Sequence, residues 1–217
     1  EKLITTMLEP TILQQVTEIF RNLEADYTFR MHVGTSLAGT QLAAFLNDFA
    51  STSPRLSVET HEAHGDTLSF TLLKNGEDTG ITFRGIPNGH EFTSLLLAVL
   101  NADGKGKNLP DEGIACRIRS LQGDIRLQTY VSLTCTNCPD VVQTLNIFAL
   151  LNPGIRHEMV DGALFQSEVD TKGVQAVPSV FADGKLIHVG RGSLSELLEK
   201  LEDIYPSCPL NGNGENE

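Results

Sequence analysis

The feature that most constrains this chain is a change of hydrophobic period that happens twice in the same order. Leu8, Ile12, Val16, Ile19, Phe20 and Leu23 recur at helical spacing, and Tyr27-Thr28-Phe29-Arg30-Met31-His32-Val33 then alternates as a half-buried strand does. Helical spacing returns over Leu37 to Phe49. Leu56 to Glu59 reads as a short strand, and Leu68 to Leu73 with Ile81 to Phe83 reads as a hairpin closed at Asn75-Gly76. A helix from about His90 to Leu100 completes this run, in the order helix, strand, helix, three strands, helix.

The same order begins again past residue 110. Asp111 to Leu121 reads as a helix, Ile125 to Val131 as a strand, Cys138 to Leu151 as a helix and Ile155 to Val160 as a strand. A short helix over Phe165 to Lys172 follows. Two strands, Ser179 to Phe181 and Leu186 to Val189, then flank Asp183-Gly184, and Ser193 to Leu201 is the last helix, with Ser193 and Glu196 spaced as a capping box. Overlaid, Val33 falls on Val131, Asn75-Gly76 falls on Asp183-Gly184, and Gly85 and Gly190 each precede a helical glutamate, Glu91 and Glu196, by six residues. Two copies of one α/β unit account for this better than one large domain. The Gly, Pro and Lys cluster from Asp103 to Pro110 is the expected link, giving units over residues 1–103 and 104–204. Residues 205–217 are polar and Gly-rich, and are expected to be a linker or frayed tail.

Net charge and apolar run length exclude two classes of partner. At −12 the chain lacks the clustered Lys and Arg that counterion release from a phosphate backbone requires, so nucleic acid is not expected. The longest apolar run, Leu95 to Leu100, is too short to span a membrane, and no basic segment followed by an apolar stretch opens the chain. A cytoplasmic location is the resulting expectation. Four cysteines, at 116, 135, 138 and 208, are too few for a disulfide-stapled secreted scaffold of 217 residues.

Cys135-Thr136-Asn137-Cys138 concentrates the chemistry. A C-x-x-C at the start of a helix, directly after a strand, sets the first sulfur beside unpaired backbone N–H groups, where the positive end of the helix dipole favours thiolate. Pro139 suits the first helical turn, since its missing N–H would have been unpaired there. The second cysteine, one turn along, can attack a mixed disulfide formed at the first. Zinc would need two further ligands, and Cys116 and Cys208 each stand alone. Two merely buried cysteines near a turn are the bland alternative. His61 and His64 are spaced for a metal but sit beside Gly65 in an expected turn with no third ligand, so no metal is expected. Cys116 reads as a small packing residue and Cys208 as incidental in the tail. Pro178 enters a strand where a central ladder tolerates proline poorly, which suits an edge or a cis peptide. Glu91, at a helix start, reads from its position alone as a solvated acid. Neither G-x-x-x-x-G-K-[ST] nor a G-x-G-x-x-G after a strand occurs, so no nucleotide or flavin site is expected.

The stretch from Tyr130 to Gln143, with Gly89-His90-Glu91-Phe92-Thr93-Ser94-Leu95, Leu151-Asn152-Pro153, Val160-Asp161-Gly162 and Val177-Pro178-Ser179-Val180-Phe181, resembles the N-terminal domain of the F component of alkyl hydroperoxide reductase. The resemblance runs from about residue 5 to residue 203. It implies two tandem thioredoxin-like units packed together, the first without redox cysteines and the second with the working pair. It further implies a thiol–disulfide relay from a flavoprotein, thioredoxin-reductase-like module to a peroxiredoxin, the C component of alkyl hydroperoxide reductase. On that reading Cys135 attacks the partner disulfide, Cys138 resolves it, Pro178 is a cis proline, and Glu91 is an acid lent by the first unit. Thr134, Thr136, Asn137 and Val177 would border the partner. FAD and NADH would belong to the reductase module, expected beyond Glu217. A free-standing protein disulfide oxidoreductase, or a module whose pair is never turned over, are the alternative readings.

Overall fold

The computed structural model describes residues 6–208. Among the described residues, all eight strands lie in one sheet, β2-β1-β3-β4-β6-β5-β7-β8, made from β1 (Tyr27–Val33), β2 (Leu56–Glu62), β3 (Leu68–Lys74), β4 (Glu77–Arg84), β5 (Ile125–Val131), β6 (Ile155–Asp161), β7 (Ser179–Ala182) and β8 (Lys185–Val189). The order 2-1-3-4 is repeated as 6-5-7-8. In each half the first strand pairs parallel with the second and antiparallel with the third, and the third and fourth form an antiparallel hairpin. The sequence repeat is therefore a repeat of topology, and the two thioredoxin-like units share a sheet.

The units meet along β4 and β6, which run parallel with Ile81 opposite His157 and Phe83 opposite Met159. All four side chains are buried. Helices α1 (Pro10–Ile19), α2 (Leu37–Ala50) and α3 (Phe92–Ala102) belong to the first half; α4 (Glu112–Ser120), α5 (Cys138–Leu151), α6 (Gln166–Lys172) and α7 (Leu194–Ile204) belong to the second. α5 lies on β4, β5 and β6 and packs against α3, so the helix carrying the cysteines also touches the first half. The main apolar core runs from Phe29 and Phe45 through Phe83 and Leu95 to Phe148 and Leu198, and Tyr130, Val160 and Phe181 form a smaller cluster apart from it.

Element ends differ from expectation where tertiary pairing extends them. β2 continues to Glu62 because parallel pairing with β1 holds all seven residues, so His61 lies in a strand and not in a turn. Its ring lies beside that of His32 of β1, centroids 5.2 Å apart and tilted by 30°, and bonds to Glu59. Ser193 caps α7 by accepting from the Glu196 N–H, but the Glu196 carboxylate does not return the bond and faces Lys200 and His188 instead. Past Tyr205 the chain is docked before it leaves the described residues. Gln122 N–H donates to Pro206 O, Cys208 N–H donates to Ser120 O, and Ser207 bridges Leu121.

Candidate functional site

The site forms where the loop after β5 meets the segment before β7. Val131 ends β5, α5 begins at Cys138, and Pro139 occupies the first turn. Cys135 and Cys138 are joined as a disulfide, with Cα atoms 5.6 Å apart. Cys138 is buried and Cys135 is partly exposed. The loop from β5 to Cys135 is tightened by Cys135 N–H donating to Ser132 O at 3.0 Å and by the Ser132 and Thr134 hydroxyls at 3.1 Å. Thr134 and Thr136 face solvent on either side of the outer sulfur. Across from them, the Val177 carbonyl oxygen lies 3.8 Å from Cys135 Sγ. Pro178 is buried behind it, and the Val177–Pro178 bond is cis. The structure thus brings together residues that lie about forty positions apart in the chain. An apolar groove of about 310 Å³ lined by Tyr130, Ala163, Val169, Val174 and Val177 opens beside this junction.

The first half closes the site from the other side. A 3-10 turn, Gly89–Glu91, leads into α3 and packs against α5. His90 N–H donates to Leu133 O, in the cysteine loop, at 3.0 Å. Gly89 has φ +56°, and a Cβ there would sit 2.7 Å from that same carbonyl oxygen, so close backbone approach requires glycine. Glu91 follows directly. The reading of it as a solvated helix-start acid fails: its side chain is fully buried, and neither carboxylate oxygen has a hydrogen-bond partner among the described residues. Burial pushes its pKa up to about 7, with Ser94 drawing it back only in part. Ser94 in turn accepts from Gln143 of α5 at 3.3 Å, tying the start of α3 to the cysteine helix. A carboxyl that titrates near neutrality against that helix can hold or release one proton there.

Two other groups at the site were not anticipated. Arg191, between β8 and α7, donates from Nε to Asn137 Oδ1 at 2.7 Å, and Asn137 sits between the two cysteines. Its trace in the sequence is the triplet Gly190-Arg191-Gly192, an arginine between residues with no side chain of their own. Arg84, at the end of β4, reaches across to Glu168 of α6 through two bonds of 2.9 and 2.8 Å and lies 4.3 Å over the Phe165 ring. Tyr130 of β5 also donates its hydroxyl to Glu168. This cluster fastens α6, which walls the apolar groove, to both halves. Cys116 is half-buried in α4, and Cys208 is exposed. Among the described residues no group of three or more His, Cys, Asp or Glu is placed to hold a metal ion, and no helix is long and apolar enough to cross a membrane.

A repeated strand order with a disulfide at the start of a helix, one sulfur accessible and one buried, defines a double thioredoxin-like protein with a dithiol–disulfide site. Residues 125–203 match the thioredoxin domain family accordingly. The structure also overlays, with a TM-score of 0.81 and 31% identity, on the N-terminal domain of alkylhydroperoxide reductase AhpF from Enterococcus faecalis, over 89% of this chain and 99% of that one. The chain belongs to the family of the N-terminal domain of AhpF, the F component of alkyl hydroperoxide reductase. The F component of Staphylococcus epidermidis is 40% identical over 205 residues, which are 94% of this chain and 40% of that protein. A Bacillus subtilis relative named NADH dehydrogenase is 40% identical over 195 residues, 90% of this chain and 38% of its own length. The chain therefore spans well under half the length of the curated relatives it matches.

Proposed function

We propose that this chain relays electron pairs by thiol–disulfide exchange from a flavoprotein reductase module to the disulfide of a peroxiredoxin. The observation that carries the reading is the asymmetry of the Cys135–Cys138 disulfide, an accessible sulfur at the helix start backed by a buried one. In the reduced form the Cys135 thiolate attacks the partner disulfide. A Cys135–sulfur bond forms, the partner's S–S bond breaks, and its other sulfur leaves as a thiolate that takes up a proton. Cys138, its proton passed toward Glu91, then attacks Cys135 Sγ and releases the second partner thiolate. Two electrons have moved to the partner, and the pair is again a disulfide.

The remaining roles follow the same reading. Thr134, Thr136, Asn137, Val177 and Pro178 border the outer sulfur and would contact the partner, whose extended backbone could pair beside Val177. FAD and NADH would serve the reductase module, in keeping with the name of the Bacillus subtilis relative. We place the boundary of the units at residues 103/104, with the second unit ending near residue 204, supported by the repeated strand order and the loop between α3 and α4. Residues 205–217 would serve as a polar linker or tail, and a cytoplasmic setting suits a reduced dithiol. The test is a trap. Reduced Cys138→Ser, mixed with an oxidised two-cysteine peroxiredoxin, should accumulate a mixed disulfide through Cys135 that dithiothreitol releases. Failure to form it, while the intact pair still reduces a small disulfide, would remove the peroxiredoxin from the proposal.

A further inference from the structure

Arg191 is held more firmly than an exposed side chain needs to be. Gly190 N–H donates to Pro178 O at 2.9 Å, which ties the Arg191 loop to the segment facing Cys135. His188, buried at the end of β8, directs Nε2 at two carbonyl oxygens, Gly190 O at 3.0 Å and Arg191 O at 2.7 Å, so that nitrogen donates. Lys200 of α7 fixes the same ring from behind, donating from Nζ to His188 Nδ1 at 2.8 Å. Gly190 has φ +86°, and a Cβ at Gly192 would lie 2.7 Å from His188 Nε2. Both flanking glycines are thus required by the way the loop folds over the imidazole. The guanidinium ends with Nε committed to Asn137, while Nη1 and Nη2 have no hydrogen-bond partner among the described residues, and Arg191 lines an open depression of about 430 Å³. Asp140 and Glu196 also line that depression, and neither forms an ion pair with Arg191.

A planar two-nitrogen fork, held by its third nitrogen and left free at its outer edge, is the geometry that receives a carboxylate in two parallel bonds. Asn137, which holds the fork, is two residues from Cys135, and the Arg191 loop is tied to Pro178, so the fork borders the surface on which a disulfide approaches Cys135. We propose that Arg191 is a specificity-determining residue of the disulfide exchange, selecting disulfides that carry a carboxylate next to the reacting sulfur. This rests on the relay reading for the exchange itself. The covalent steps are those given above, and Arg191 forms and breaks no bond. It orients the incoming disulfide and offsets its charge against a chain whose net charge of −12 would otherwise repel it.

Three small disulfides separate the idea from its rivals. Reduced protein is mixed with glutathione disulfide, which is anionic, with hydroxyethyl disulfide, which is neutral, and with cystamine, which is cationic, and loss of protein thiols is followed in each case. In Arg191→Gln the rate with glutathione disulfide, divided by that with hydroxyethyl disulfide, should fall about threefold, the size an exposed charge pair provides. The corresponding ratio for cystamine should rise. Arg191→Lys, which keeps the charge but loses the fork, should fall between. High salt should erase the differences, since exposed charges are screened within about 3 Å at 1 M. Equal slowing with all three disulfides would reduce Arg191 to a prop for Asn137, and unchanged ratios would remove it from recognition; either result overturns the proposal. Both leave exchange with hydroxyethyl disulfide measurable, so they are distinguishable from failure of the relay reading, which is read separately by the missing mixed disulfide between Cys138→Ser and a peroxiredoxin.

Discussion

Replacing Glu91 with glutamine should change how stability depends on pH, and the size of the change can be worked from the burial of the carboxyl. In the folded protein its pKa is raised from 4.5 to about 7, because burial disfavours the charged form and Ser94 offsets this only in part. A raised folded-state value means that the native state holds its proton where the unfolded chain has lost it. The stability linked to Glu91 is therefore fully present below about pH 4.5 and is lost as pH rises through about 7. A displacement of about 2.5 pKa units corresponds to about 3 kcal/mol across that window. Glutamine occupies nearly the same volume and does not titrate, so the variant should lack this loss. The assay is urea unfolding of the oxidised protein and of oxidised Glu91→Gln at several pH values between about 4.5 and 8.5, with the disulfide intact so that no active-site thiol contributes. The difference in unfolding free energy, variant minus parent, should grow by about 3 kcal/mol from the acid to the alkaline end. Curves that run parallel would refute the reasoning, whatever their vertical offset, because a constant offset reports packing and only a changing one reports the proton. The same variant in the reduced form should exchange more slowly with disulfides if Glu91 takes the proton from Cys138.

Gly89→Ala should destabilise the protein by about 1–2 kcal/mol, the cost of a left-handed backbone for a residue with a Cβ, and should push the 3-10 turn away from Leu133 O. Amide hydrogen exchange at His90 reads the second effect directly, and unchanged protection there would mean that the turn does not hold the cysteine loop. His157 predicts the opposite pH trend from Glu91. Burial among Thr129 and Asn146 lowers its pKa to about 3, so its contribution is present above about 6.5 and is lost as pH falls from there toward about 3. Relative to His157→Gln, the parent should lose about 1 kcal/mol for each pH unit between about pH 6 and pH 4, and equal slopes would show that the imidazole is not held neutral.

What was legible in the sequence alone was whatever depends on neighbours along the chain. Strand β5 and helix α5 could be bounded from hydrophobic period and the position of Pro139, and the two cysteines could be placed at that helix start because capping and dipole effects act within one turn. The repeat was visible because each unit obeys the same local rules. What decided the rest was contact between distant segments. Periodicity marks a strand's faces but not its neighbour, so nothing local said that β4 would pair with β6 and make one sheet of two units. Glu91 shows the consequence most plainly. At a helix start its expected place was in water, yet docking of the Gly89–Glu91 turn against α5 strips that water away and moves its proton affinity to neutrality. Arg191 was inconspicuous for the same reason, lying 54 residues from Asn137. Desolvation and cross-chain hydrogen bonds are set by what packs on a side chain from outside its own segment, and that is fixed only when the tertiary fold forms.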